Sequence, residues 1–131
     1  MLKYAYTILY VTDVSKTIAF YEEAFGFEKK FSTPENDYGE IISGETTIAF
    51  ASIQLAGSNL KKGFLESNLN QKPFGIELGF VTDNPSEFIK KALGAGAVEL
   101  EPLKTKPWGQ EVAYLRDNNG FIIEICTPID N

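Results

Sequence analysis

Tyr10-Val11-Thr12-Asp13, near the start of the chain, returns about 70 residues later as Phe80-Val81-Thr82-Asp83. A repeat this long exceeds the periods of solenoid units, so it marks a module used twice. Working outward, Gly26 falls opposite Gly96 at the end of each expected helix, and Gly39 falls opposite Gly109 ahead of an apolar strand. Each half has the same order of elements. A strand (about 4–11, then 75–82) runs through the Thr-Asp turn into a helix (about 15–25, then 85–94), and three short strands follow, marked by apolar runs and turns.

Local signals support this division. Val14, Ile18, Tyr21 and Phe25 form one stripe at helical spacing, able to seat the first helix on a sheet. In the second half Asn84 is the expected N-cap, Pro85 suits the first helical position, Glu87 can complete a capping box, and Gly94 and Gly96 end the helix. Asp117-Asn118-Asn119-Gly120, between the apolar runs Val112–Leu115 and Phe121–Ile125, is the turn of a final hairpin. The stretch from Leu55 to Pro73 reads as a connector of loose structure. Module one is therefore expected at 1–54 and module two at 74–131, together one domain over 1–131.

Composition limits the chemistry. The 131 residues include no histidine. Ser-His-Asp and Cys-His nucleophile systems and His-ligated zinc are thereby excluded. The net charge of −6 and a pI near 4.7 oppose phosphate backbones, so nucleic acid is not expected as a partner, while cationic ligands are favoured. A single cysteine, Cys126, cannot form an internal disulfide. Without a secretory signal pattern or a long apolar run, the chain is expected in the cytoplasm and away from membranes.

Two tandem βαβββ modules, each opening with strand, Thr-Asp turn and helix, resemble the vicinal oxygen chelate superfamily of glyoxalase I, bleomycin-resistance proteins and extradiol dioxygenases. The resemblance spans almost the whole chain. It is carried by Tyr6–Asp13, Phe20-Tyr21 and Phe25-Gly26-Phe27 in the first half, and in the second by Pro107-Trp108-Gly109-Gln110 and Arg116–Glu124. It implies an α+β glyoxalase/bleomycin-resistance fold with curved mixed sheets around a groove, the modules pairing within a chain or across a homodimer. It also implies four ligand positions on the first and last strands of the modules. Counting back seven residues from Asp13 and Asp83 gives Tyr6 and Ile76, and matching the last strands gives Ala49 and Glu124. Only Glu124 is a ligand-type side chain there, so neither metal nor other cofactor is expected.

Strand alternation then assigns faces. Tyr4, Tyr6, Ile8 and Tyr10 are expected in the groove, with Ile76, Leu78 and Phe80 from the fifth strand and Ile122, Glu124 and Cys126 from the last. A carboxylate among apolar groups needs a partner or a raised pKa, which singles out Glu124. Trp108, in a Pro-Trp-Gly loop, can stack on a planar or cationic ligand. Arg116 reads as a surface charge of the hairpin, paired with Asp117 or Glu45, and Cys126 as a buried thiol. The expected activity is small-molecule sequestration of the bleomycin-resistance type, with Tyr6, Ile76, Leu78, Trp108, Ile122 and Glu124 lining the ligand site. The alternative is a glyoxalase-like lyase or isomerase with Glu124 as general base and Tyr6 as donor. Two further readings are a metalloenzyme with other oxygen ligands and a partner-binding module whose groove is filled by its own loop.

Overall fold

The computed structural model describes residues 1–129, which leaves the last two residues of the expected second module outside the description. The chain runs β1 (Tyr6–Val11), α1 (Val14–Phe25), β2 (Glu28–Ser32), β3 (Tyr38–Ser43), β4 (Thr46–Ser52), α2 (Ile53–Asn59), β5 (Glu77–Val81), α3 (Pro85–Ala95), β6 (Val98–Thr105), β7 (Glu111–Arg116) and β8 (Ile122–Cys126). The strands form two four-stranded mixed sheets with the same internal order, β1-β4-β3-β2 and β5-β8-β7-β6. In each sheet the first and last strands of a βαβββ module pair in parallel, and the remaining pairs are antiparallel. This is the α+β architecture of two tandem modules that the repeat implies. Contacts divide the chain into two compact units, one of Met1–Glu22 with Gly26–Glu66 and one of Glu23–Phe25 with the described residues from Ser67 onward.

In the first unit the stripe on α1 performs its expected task. Val14, Ile18 and Tyr21 are buried together with Leu9, Val11, Ile41, Ile48 and Phe50 from the sheet. Gly39 on β3 shows how closely the helix sits: a Cβ there would lie 2.7 Å from Ile18 Cδ1 and 3.1 Å from Val14 Cγ1. The helix starts at Asp13, whose carboxylate accepts from the Lys16 amide at 3.1 Å. That bond, followed by one from Asn36, holds the Asp13 carboxyl below its ordinary pKa. Leu55–Asn59, expected to be loose, is helical instead. Ser52 caps α2 by accepting from the Leu55 amide at 3.0 Å, and Ala56 is buried. The sequence reading missed this helix because seven residues are too few to show a periodic stripe.

In the second unit, Leu115, Ile123 and Ile125 are fully buried with Ala92 of α3. Two local expectations need correction. Asn84 precedes α3, but its side chain makes no cap bond; its amide instead donates to Thr82 Oγ1 at 3.1 Å. Arg116 is not a surface charge. It is only 7% exposed, its Nε donates to the Gly120 carbonyl at 3.0 Å, and its Nη2 donates to the Asn68 carbonyl at 3.0 Å. A guanidinium with fixed donors can satisfy several carbonyls at once, and here it ties the β7–β8 turn to the incoming connector. Ser67 adds a bond to the Asn119 carbonyl at 2.9 Å. Asp117 is fully buried and accepts from the amides of Asn119 and Phe121, both at 2.9 Å.

Candidate functional site

Each unit covers one sheet face with its helix and leaves the other more open, and register fixes which side chains belong to which face. In the first unit Ile8 pairs with Ala49 and Ala49 with Glu40. Tyr6, Ile8, Tyr10, Tyr38, Glu40, Ala49 and Ala51 therefore share the face away from α1. Tyr6 and Ile8 are 43% and 42% exposed. The shared face expected on β1 holds for Tyr6, Ile8 and Tyr10, whereas Tyr4 lies ahead of the strand and is 77% exposed.

For β5 the expected faces are exchanged. Leu78 pairs with Ile123 and Phe80 with Ile125, both buried under the helix layer. Glu77, Gly79 and Val81 are the residues that share a face with Ile122, Glu124 and Cys126. Ile76 lies just outside β5 and is 64% exposed. The error has a simple cause. Tyr6 pairs with Thr47, two residues before Ala49, and Glu77 pairs with Ile122, two before Glu124. The helix caps agree, since α1 follows Asp13 and α3 follows Asn84. The structural repeat is thus one residue longer than the repeated tetrapeptide suggests, and a one-residue slip reverses a strand's faces.

The counterpart of Tyr6 in module two is therefore the carboxyl of Glu77, which sequence reasoning missed. Glu77 lies diagonally across from Glu124 on adjacent strands, and the two side chains are within hydrogen-bonding range. Burial first, and then the neighbouring Glu124 carboxylate, raise the Glu77 pKa above its ordinary value. On the other side of Glu124 stands its cross-strand partner Tyr114. The hydrogen bond to Glu124, followed by burial, raises the pKa of this phenol. The hydroxyl that meets Glu124 is thus Tyr114. Cys126 shares the face and is 4% exposed, and burial, followed by Glu124, lifts its thiol pKa to about 11. Its Sγ lies 3.7 Å from the Phe80 carbonyl.

Trp108 occupies the turn between β6 and β7 and is 62% exposed. Its Nε1 donates to Gln110 Oε1 at 2.9 Å, and Gln110 Nε2 donates in turn to the Thr127 carbonyl at 2.8 Å. This relay orients the exposed ring. Ile122 is half-buried beside Glu124 on the same face.

The four positions implied for a metal now carry Tyr6 and Ala49 in the first unit and Glu77 and Glu124 in the second. One phenol, one methyl group and two carboxyls do not make the converging donor set that a transition metal takes. Among the described residues no three of the ligand-type side chains His, Cys, Asp and Glu converge on a possible metal position.

A glyoxalase-like domain model matches residues 4–130. The chain belongs to the glyoxalase-like domain family. Solved structures, including members of the glyoxalase/bleomycin resistance protein/dioxygenase family, share its fold. A glyoxalase-related enzyme from Fulvimarina pelagi shares 21% identity, with 98% of this chain and 89% of that chain covered and a TM-score of 0.80. A glyoxalase/bleomycin resistance protein/dioxygenase family enzyme from Burkholderia phytofirmans shares 18% identity over 94% and 96% of the two chains, with a TM-score of 0.78. A lactoylglutathione lyase from Agrobacterium tumefaciens shares 18% identity over 97% and 94%, with a TM-score of 0.69. No match was found among curated proteins. Among the described residues, no helix of this glyoxalase-like chain is long and apolar enough to cross a membrane.

Proposed function

We propose that this glyoxalase-like protein binds and sequesters a small cationic or aromatic compound, in the manner of bleomycin-resistance proteins and without a metal. The observation that carries the reading is the Glu77–Glu124 pair, with Tyr114 beside it, on an exposed sheet face that also bears Ile122 and Val81. Two carboxyls so close repel each other once both are charged, and a ligand cation between them relieves that repulsion while its apolar part covers the flanking side chains. The net charge of −6 favours the approach of such a ligand. Trp108 supplies a ring that can stack on it, which makes Glu77, Tyr114, Ile122, Glu124 and Trp108 the proposed ligand set. Leu78 lies outside that set because it faces Ile123.

Antibiotic resistance through sequestration, a cytoplasmic location and a homodimer belong to the same reading. The dimer is supported by large apolar side chains left exposed, among them Leu65 at 80%, Tyr4 at 77% and Ile76 at 64%. The test is a titration with cationic and aromatic compounds followed through Trp108 fluorescence. Saturable quenching that weakens in Glu124→Gln supports the proposal, and silence across the panel overturns it.

A second reading is favoured by one specific feature. Glu124 lies between a carboxyl that tends to hold a proton and a phenol that donates to it, the arrangement a lyase or isomerase needs to take a proton beside a carbonyl and return it. Turnover of an α-hydroxycarbonyl or hemithioacetal substrate that disappears in Glu124→Gln, with binding retained, would establish this alternative.

A further inference from the structure

The proposed function gives no task to Glu40 of the first unit. Glu40 is only 8% exposed and lies on the face away from α1, a placement that is unfavourable for a carboxylate unless it is paired. Its Oε2 accepts from the Tyr38 hydroxyl at 2.7 Å. Its Oε1 faces the Lys30 ammonium at 3.6 Å, an ion pair too long for the charge-assisted hydrogen bond that such an oxygen can accept. The Lys30 side chain is itself half exposed.

Lys30 reaches this face through an irregularity. Lys29 pairs with Ile41 and Phe31 with Glu40, so Lys30 is the extra residue of a β-bulge, a device that re-aims a side chain. The surroundings are aromatic. Phe31 is the cross-strand partner of Glu40, and its ring lies 5.9 Å from that of Tyr38. The Tyr6 hydroxyl comes within hydrogen-bonding range of Tyr38, and both Tyr6 and Phe31 are 43% exposed. On the other flank the cross-strand partner of Glu40 is Ala49.

We propose that this face binds a protonated primary alkylamine, with Glu40 as its counter-charge, Tyr6, Phe31 and Tyr38 as aromatic walls, and Lys30 as a resident ammonium that the ligand displaces. The Lys30 ammonium shows that the carboxylate accepts an alkylammonium as its counter-charge. An incoming amine can donate to Oε1 at full hydrogen-bond length, and its alkyl part can pack against the rings of Tyr6, Phe31 and Tyr38. The proposal shares the cationic class of ligand with the proposed function but rests on different residues, on the first unit alone.

The probe is n-butylammonium, with n-butanol as the uncharged control, followed by amide chemical shifts of the intact protein. Saturable shifts are expected at Phe31, Glu40 and Ala49 with the amine and not with the alcohol. Replacing the competing ion pair in Lys30→Met should tighten binding by about two- to fivefold, the range of a partly exposed pair. Glu40→Gln keeps an acceptor for Tyr38 and should abolish the shifts, whereas Glu124→Gln should leave them unchanged. The proposal is overturned if the alcohol shifts the same amides, if Lys30→Met binds no tighter, or if Glu40→Gln binds as well as the parent protein. Shifts that vanish only in Glu124→Gln would overturn it as well while leaving the proposed function standing.

Discussion

Replacing Glu77 with glutamine should make this protein more stable at neutral pH and nearly unchanged in acid. The two carboxyls sit diagonally on parallel neighbouring strands, and Glu77 has its pKa raised by burial and by Glu124. The folded state therefore binds the Glu77 proton more tightly than the unfolded chain. Stability falls as pH rises from the ordinary value of 4.5 through the raised folded value, and it is fully retained below that window. Like charges facing each other across strands cost roughly 0.2–1 kcal/mol, with solvent screening keeping exposed pairs within that range. Glutamine removes one charge and keeps a donor for Glu124. Urea unfolding at pH 7.5 should then show a gain of about 0.5–1 kcal/mol, a midpoint shift of about 0.3–0.7 M for a domain of this size. At pH 4 the gain should shrink towards zero, and at pH 7.5 it should diminish with added salt. Equal destabilisation at both pH values, or a gain that ignores pH, would refute the carboxyl pair as described.

Three other outcomes follow from the structure. Gly120→Ala places a Cβ 2.8 Å from the Asn68 backbone and from Arg116 Nη2 at a φ of +92°, and thermal unfolding should report a loss on the order of 3 kcal/mol from strain and overpacking together. Asp13→Ala removes the cap of α1 and should cost about 1 kcal/mol at pH 7. Because the Asp13 pKa is lowered, that cost should fade as pH drops below 3.8, which denaturation at pH 2.5 and 7 can check. Cys126, with its pKa near 11 and 4% exposure, should react with a thiol reagent far more slowly than a free cysteine at pH 8, and unfolding in urea should restore the ordinary rate.

The architecture was legible because duplicated signals of different kinds agreed. The Thr-Asp turns, the stripe on α1 and the Asp-Asn-Asn-Gly turn each specify local geometry through apolar period or backbone preference, and together they define two modules of the same order. The site was less legible because it depends on parity. Aligning the halves by their identical letters placed Ile76 opposite Tyr6, whereas hydrogen-bond register places Glu77 there. No composition signal corrects such a slip on a strand where both parities carry apolar residues. The bulge that turns Lys30 towards Glu40 and the folding back of Arg116 are likewise tertiary outcomes. A lysine in a Lys-Lys pair and an arginine beside a turn look like solvated charges until backbone carbonyls or a buried carboxylate are seen next to them.

The stitch between Arg116 and Asn68 also bears on the rate of unfolding. It closes a span of 48 residues, while the turn that orients the guanidinium closes locally between Asp117 and Phe121. Closure over the longer span carries the larger entropy loss and rewards the chain only after the hairpin exists, so this contact belongs after the barrier. Truncating Arg116 should then accelerate the escape from the native state while leaving the speed of its formation nearly untouched. The guanidinium would act as a latch on the lifetime of the fold.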